Sequence, residues 1–179
     1  MKTQKYAVRL SRNTLLIIML AITGAHSVPA KAEGKSPVNE TEAVEPDSTG
    51  ELKLGLDSVN FRSDAPDGNP KAMSNGSRII AWAKEDWIFW KVKIPAKGTY
   101  KVTVTSASPR SGGDIAIEIT GGQTITATPE MTDSWTDPKA WEAGTLTFEN
   151  AGEFELRILP ADSNKWRGLD IYKVVLNKT

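Results

Sequence analysis

Apolar and polar side chains alternate most regularly between Trp82 and Ala107. Ile88, Trp90, Val92 and Ile94 fall on one side of an extended chain, with Lys91 and Lys93 on the other. Tyr100, Val102 and Val104 repeat the alternation against Lys101, Thr103 and Thr105. A period of two is what a pleated strand with one buried face requires. Pro95-Ala-Lys-Gly98 supplies a turn between the runs, because proline ends ladder pairing and glycine accepts positive φ. The stretch predicts two strands joined as a hairpin, with an apolar face that needs a second sheet over it.

The same signal recurs at short intervals. Strands are predicted over residues 52–56, 59–63, 78–82, 86–94, 99–105, 114–120, 123–128, 145–149, 153–159 and 168–176. Gly121-Gly122 and Asn150-Ala-Gly152 mark turns. In the last strand Leu169 and Ile171 are followed by Val174 and Leu176, a slip in phase that predicts a β-bulge. No amphipathic helix of useful length interrupts the series. The fold class expected is all-β, a jelly-roll β-sandwich of two antiparallel sheets with about eight to ten strands.

The N-terminus follows a different rule. Lys2, Lys5, Arg9 and Arg12 precede an apolar run from Thr14, which is shorter than the ~20 residues a bilayer span needs. Ala30-Lys31-Ala32 has the form of a cleavage site, so residues 1–32 are expected to be a signal peptide and the mature chain to be secreted or periplasmic. No cysteine follows the run, which excludes a bacterial lipoprotein signal. Residues 33–50 are polar and acidic and are expected to form a disordered linker, with the folded domain over 51–179.

Removing the signal changes the charge. The 22 Lys and Arg fall to 17 against 22 Asp and Glu, a formal net charge of −5. An acidic domain is a poor partner for a phosphate backbone, so nucleic acid is not expected as a ligand. Cysteine is absent, and the single histidine, His26, lies in the signal. Thiol catalysis, Ser-His-Asp hydrolysis and His- or thiolate-held metal are thereby excluded.

All six tryptophans lie in the mature chain. An exposed indole offers a flat apolar face for stacking on a sugar ring. Trp90 has core phase, and Trp82 closes a strand as packing. Trp87 and Phe89 share the face opposite Trp90, as a platform or as a cover for the linker. The stretch from Thr132 to Trp141 is a polar loop with two tryptophans, Trp135 and Trp141, where Asp133, Ser134, Asp137 and Lys139 can supply directional hydrogen bonds. Trp166 stands in a similar polar segment. Asp64 to Asn69 fits either a hard-cation turn or an Asx-type turn. Asn39-Glu-Thr41 and Asn75-Gly-Ser77 match the glycosylation pattern.

An ordered series of short motifs carries a resemblance. Asp86-x-x-x-Trp90-x-Val92-x-Ile94-Pro95-x-x-Gly98-x-Tyr100-x-Val102 is followed by Thr132-x-Ser134-Trp135, Gly144-x-Leu146, Ala151-Gly152-x-Phe154-x-Leu156 and Leu169-Asp170-Ile171. The series resembles the galactose-binding-like jelly rolls, among them family 6 and family 35 carbohydrate-binding modules and the accessory β-sandwiches of secreted fucosidases and sulfatases. The resemblance implies a sugar site in loops at one end of the sandwich. Trp135 or Trp141 would be its late tryptophan, and Asn164 or Asp162 its polar residue. The early-loop aromatic is missing, because residues 64–77 hold no Tyr or Trp. Phe61, Trp82 or Trp166 would have to replace it. The resemblance also implies a structural calcium held between the first and last strands, with Glu51 and Asp170 as the matching carboxylates.

The expected function is a secreted, non-catalytic carbohydrate-binding domain, with Trp135, Trp141, Trp166, Asn164 and Asp133 holding a glycan and a glycan-degrading enzyme as partner. The alternative is an envelope or extracellular β-sandwich that contacts protein and has no sugar ligand. A hydrolase with a carboxylate pair, Glu85/Asp86 or Asp133/Asp137, is the third reading, because glycosidases need two carboxyls across the scissile bond.

Overall fold

A computed structural model describes residues 41–80 and 82–179. The expected signal peptide, its cleavage site and residues 33–40 lie outside the described residues. Eleven strands form within them: β1 (Leu52–Leu54), β2 (Asn60–Ser63), β3 (Met73–Ser74), β4 (Ile79–Ile80), β5 (Asp86–Ile94), β6 (Gly98–Ala107), β7 (Ile115–Ile119), β8 (Thr124–Ala127), β9 (Lys139–Phe148), β10 (Gly152–Pro160) and β11 (Asp170–Lys178). They build two antiparallel sheets. One has the order β3-β4-β11-β6-β9, with β1 also paired to β11; the other has the order β2-β5-β10-β7-β8. The all-β sandwich is as expected from the alternation.

The two best-patterned strands do not form a hairpin. β5 pairs with β2 and β10, whereas β6 pairs with β11 and β9. Pro95–Lys97 carries the chain from one sheet to the other, so Ile88, Trp90, Val92 and Ile94 face Tyr100, Val102 and Val104 across the core. All seven side chains are buried. Alternation specifies which face is apolar and leaves the pairing partner open, and both strands find better-matched neighbours elsewhere. The Gly121-Gly122 turn does close a hairpin, β7 to β8.

The bulge is where the phase slip places it. The register of β11 on β6 shifts between Ile171 and Lys173, which lets Ile171 and Val174 both point inward and turns Tyr172 outward. A second shift, between Val102 and Thr103, lies opposite Gly144 of β9. Gly144 has φ +135°, and an alanine Cβ there would stand 3.2 Å from Ile125, so glycine lets β8 close over the edge of β9.

One further expectation is corrected, and one left open is narrowed. From Thr41 onward the segment read as a linker is docked: Val44 N–H donates to the Lys91 carbonyl at 2.8 Å, and Lys93 N–H donates to the Val44 carbonyl at 2.9 Å. β2 covers only the first half of β5, and this segment satisfies backbone groups that β2 leaves open. Phe89, on the outer face, is 1% exposed. The Arg62 guanidinium lies 5.1 Å from its ring centroid and Trp87 packs at 5.5 Å, so neighbouring side chains cover the ring and it is not an open platform. Trp87 is itself covered by Arg157 at 4.4 Å.

Candidate functional site

Strand direction sorts the connections into two kinds. Residues 95–97, 120–123 and 149–151 make short turns at one end of the sandwich. Residues 64–85, 108–114, 128–138 and 161–169 make longer connections at the other end. The longer ones enclose a cleft of about 390 Å³ lined by Arg78, Ile80, Trp82, Trp135, Gly168, Leu169 and Asp170.

Each wall has a local cause. The loop carrying Trp135 is pinned at its root, where Thr132 N–H donates to the Ser108 carbonyl and Ser108 N–H donates to Thr132 Oγ1, both at 3.0 Å. Beyond the root, Tyr172 donates its hydroxyl to the Trp135 carbonyl at 2.7 Å. The bulge in β11 is what aims Tyr172 at this loop. Trp135 is half-buried, and its six-membered ring faces Gly168, with Cη2 3.9 Å from where an added Cβ would stand.

The opposite wall is a relay of buried hydrogen bonds. Asp86 is 1% exposed, and its Oδ2 accepts the N–H groups of Lys71 at 2.9 Å, Ala72 at 2.7 Å and Ala83 at 3.1 Å. Trp82 donates its indole N–H to the Asp86 carbonyl at 2.8 Å, and Trp166 donates to the Trp82 carbonyl at 3.0 Å. The two indoles meet edge to face at 5.4 Å. Trp82 thus lines the cleft with Trp166 packed against it in the core.

The polar rim is Arg78 and Asp170. Arg78 Nε stands 2.8 Å from Asp170 Oδ2, and Arg78 Nη1 donates to the Tyr172 hydroxyl at 3.0 Å. Burial pushes the Asp170 carboxyl above the usual carboxylate range, and the charge and hydrogen bond of Arg78 oppose that shift. The site thus offers a near-neutral pair of donor and acceptor beside an apolar, partly aromatic surface.

Of the side chains singled out in the sequence, the cleft gathers Trp82, Trp135 and Asp170. Trp166 is 7% exposed and belongs to the core, so it presents no stacking face. Trp141 stands in β9, where the polar loop was expected to continue; it donates to Ser106 Oγ at 2.9 Å and packs on the core. Asp133 and Asn164 are exposed in flanking loops and do not line the cleft; Asn164 N–H donates to Asp162 Oδ1. Arg78, Ile80 and Tyr172 were not anticipated. The bulge signal at 171–174 was the clue to Tyr172, and nothing in the sequence marked Arg78.

The residues expected to hold calcium do not fit one ion. Leu52 pairs with Leu176, so Glu51 lies near the turn end of β11, while Asp170 pairs with Ala107 at the loop end. Asp170 and Leu176 are six steps apart along the strand, roughly 20 Å. Glu51 is paired to Lys53 at 3.1 Å and Asp170 to Arg78. Among the described residues no three His, Cys, Asp or Glu side chains converge as a metal site. The turn at 64–69 takes its Asx form, with Asn69 N–H donating to Asp67 Oδ1 at 3.1 Å. No helix among the described residues is long and apolar enough to cross a membrane.

Comparison with known proteins agrees with the architecture. No protein-family model matches the sequence. A β-agarase, AgaA of Microbulbifer thermotolerans, is 30% identical over 116 residues, which cover 63% of this chain and 26% of the agarase. The chain thus corresponds to about a quarter of that enzyme's length. The family 35 carbohydrate-binding module of Clostridium thermocellum superposes with a TM-score of 0.55 at 14% identity, covering 69% of this chain and 96% of the module. A family 6 module from Cellvibrio mixtus lichenase 5A, solved with cellotriose, superposes with a TM-score of 0.52 at 19% identity, covering 72% of this chain and 97% of the module. The described chain has the β-sandwich fold of these binding modules.

Proposed function

We propose that this chain is a non-catalytic carbohydrate-binding domain whose ligand lies in the cleft of Trp135. The observation that carries the reading is the position of that indole: half-buried, held by hydrogen bonds at its loop's root and at its own carbonyl, and set beside an apolar wall with a polar pair at the rim. A sugar ring offers C–H groups to such a face, while its hydroxyls exchange hydrogen bonds with Asp170 and Arg78. Affinity on the order of micromolar to millimolar, about −8 to −4 kcal/mol, is expected for a small open site of this kind. The fold of family 6 and 35 modules and the agarase relative support the same reading.

The state of the Glu85/Asp86 pair considered for hydrolysis favours binding over catalysis. Asp86 is engaged by three backbone N–H groups inside the core, and Glu85 pairs with Lys84 at the surface. The relative is named for agar and one neighbour was solved with cellotriose, so agar oligosaccharides and cello-oligosaccharides are the first ligands to test. Tryptophan fluorescence titrated with both should shift saturably in the parent protein and not in Trp135→Ala. A flat response from a folded parent protein across a wider glycan panel would move the cleft to a protein-facing role.

A further inference from the structure

The hairpin of β3 and β4 carries the one Asn-Gly pair of the chain, Asn75-Gly76, and both residues are exposed. We propose that Asn75 is a site of self-catalysed modification, its amide converting through a succinimide to aspartate and isoaspartate. In the first step the Gly76 backbone nitrogen attacks Asn75 Cγ and loses its proton; the Cγ–Nδ2 bond breaks and ammonia leaves. In the second, water opens the imide. Addition at Cγ gives aspartate, and addition at the Asn75 backbone carbonyl carbon gives isoaspartate. Water is the sole co-reactant.

The hairpin already holds the groups this step needs. Asn75 Oδ1 accepts hydrogen bonds from Ser77 N–H at 3.1 Å, Ser77 Oγ at 2.9 Å and Arg78 N–H at 3.1 Å. Negative charge builds on that oxygen as Cγ becomes tetrahedral, and donors aimed there beforehand stabilise it without reorganisation. Gly76 N–H donates to Ser74 Oγ at 3.2 Å, which puts an acceptor beside the proton to be lost. Gly76 has φ +87° and nothing within 4 Å of an added Cβ, so no other segment crowds its α-carbon.

Asp67-Gly68 makes the contrast. Its turn is similar, but the Asn69 N–H holds the Asp67 carboxyl below the usual range, and an ionised carboxylate is a poor electrophile. The consequence at Asn75 reaches the cleft. The same hairpin leads into Arg78 and Ile80, and isoaspartate adds a methylene to the backbone three residues before Arg78.

The experiment incubates the folded protein, and the same protein unfolded in urea, at mildly alkaline pH. Peptide mass spectrometry with isoaspartyl methylation follows residue 75. Conversion in the folded protein should be at least as fast as in the unfolded chain, and Ser77→Ala should slow it a few-fold in the folded protein alone. If Asn75 stays intact when folded while the unfolded chain converts, the three hydrogen bonds protect the amide and the proposal fails. It fails equally if Ser77→Ala acts alike in both states.

Discussion

The two ends of this sandwich are built from the same strands and differ in what connects them. At the turn end, Pro95–Lys97 and Glu149–Ala151 cross between sheets in three residues each. One opening there, about 460 Å³, exceeds the cleft in volume, and it is lined by Pro46, Ile94, Pro95 and Gly152 with Glu45, Lys93 and Glu153. No aromatic ring lines it, and Lys93 is already paired to Glu45 at 2.7 Å. At the loop end, longer connections stack a buried layer, Asp86, Trp82 and Trp166, behind an outer one, Trp135, Arg78 and Asp170. Size alone therefore does not make a site. A binding surface requires side chains held from behind, and only the longer connections leave room for that second layer.

This contrast is broken hardest by removing the buried layer. Trp166→Ala deletes a core indole and leaves a cavity behind Trp82, with an expected loss of about 3–5 kcal/mol in urea unfolding. Trp135→Ala should cost less than about 1.5 kcal/mol on the same assay, because its ring is only half-buried. If the two variants lose equal stability, the division into supporting and presenting layers is wrong.

Asp86→Ala is expected to come next. It strips the acceptor from three backbone N–H groups and should cost about 3 kcal/mol, while Lys93→Ala, which removes an exposed ion pair at the other end, should leave the unfolding midpoint nearly unchanged. Equilibrium unfolding of both variants at one pH tests the difference.

The smallest effect is in pH dependence, where the ends have opposite signs. Asp47, at the turn end, has its carboxyl held well below the usual range, first by Lys53 and then by Thr49. A lowered folded pKa contributes stability that is present above about pH 3.9 and is lost as pH falls toward the folded value. Asp170 is raised, so its contribution is present below about pH 3.9 and is lost as pH rises through the folded value. Asp47→Asn should lessen the parent's loss of stability in acid, and Asp170→Asn should steepen it. Urea midpoints between about pH 3 and pH 6 report both slopes.

Much of the fold was legible because period-two alternation survives any choice of partner. β5 was bounded to the residue and the β11 bulge was located from phase alone. β3 is not legible, since two residues carry no period, and the first half of β9 reads as loop because Lys139 and Glu142 give Trp141 a polar context. The site was less legible. Trp135 was singled out correctly as a loop indole, but Trp166 has the same polar neighbours in sequence and lies in the core. Local composition does not report which of two similar segments is backed by the other sheet.

The sequence by itself determined the all-β class, the inward face of each long strand, the strand phase slip and the exclusion of thiol chemistry. Those follow from side-chain identity and its spacing. Tertiary structure decided that β5 and β6 face each other across the core, that Thr41 to Glu45 docks along β5, that Glu51 and Asp170 stand far apart, and that Arg78 and Tyr172 join Trp135. Each of these is a contact between distant segments, set by which backbone edges and apolar faces fit together once the chain has closed.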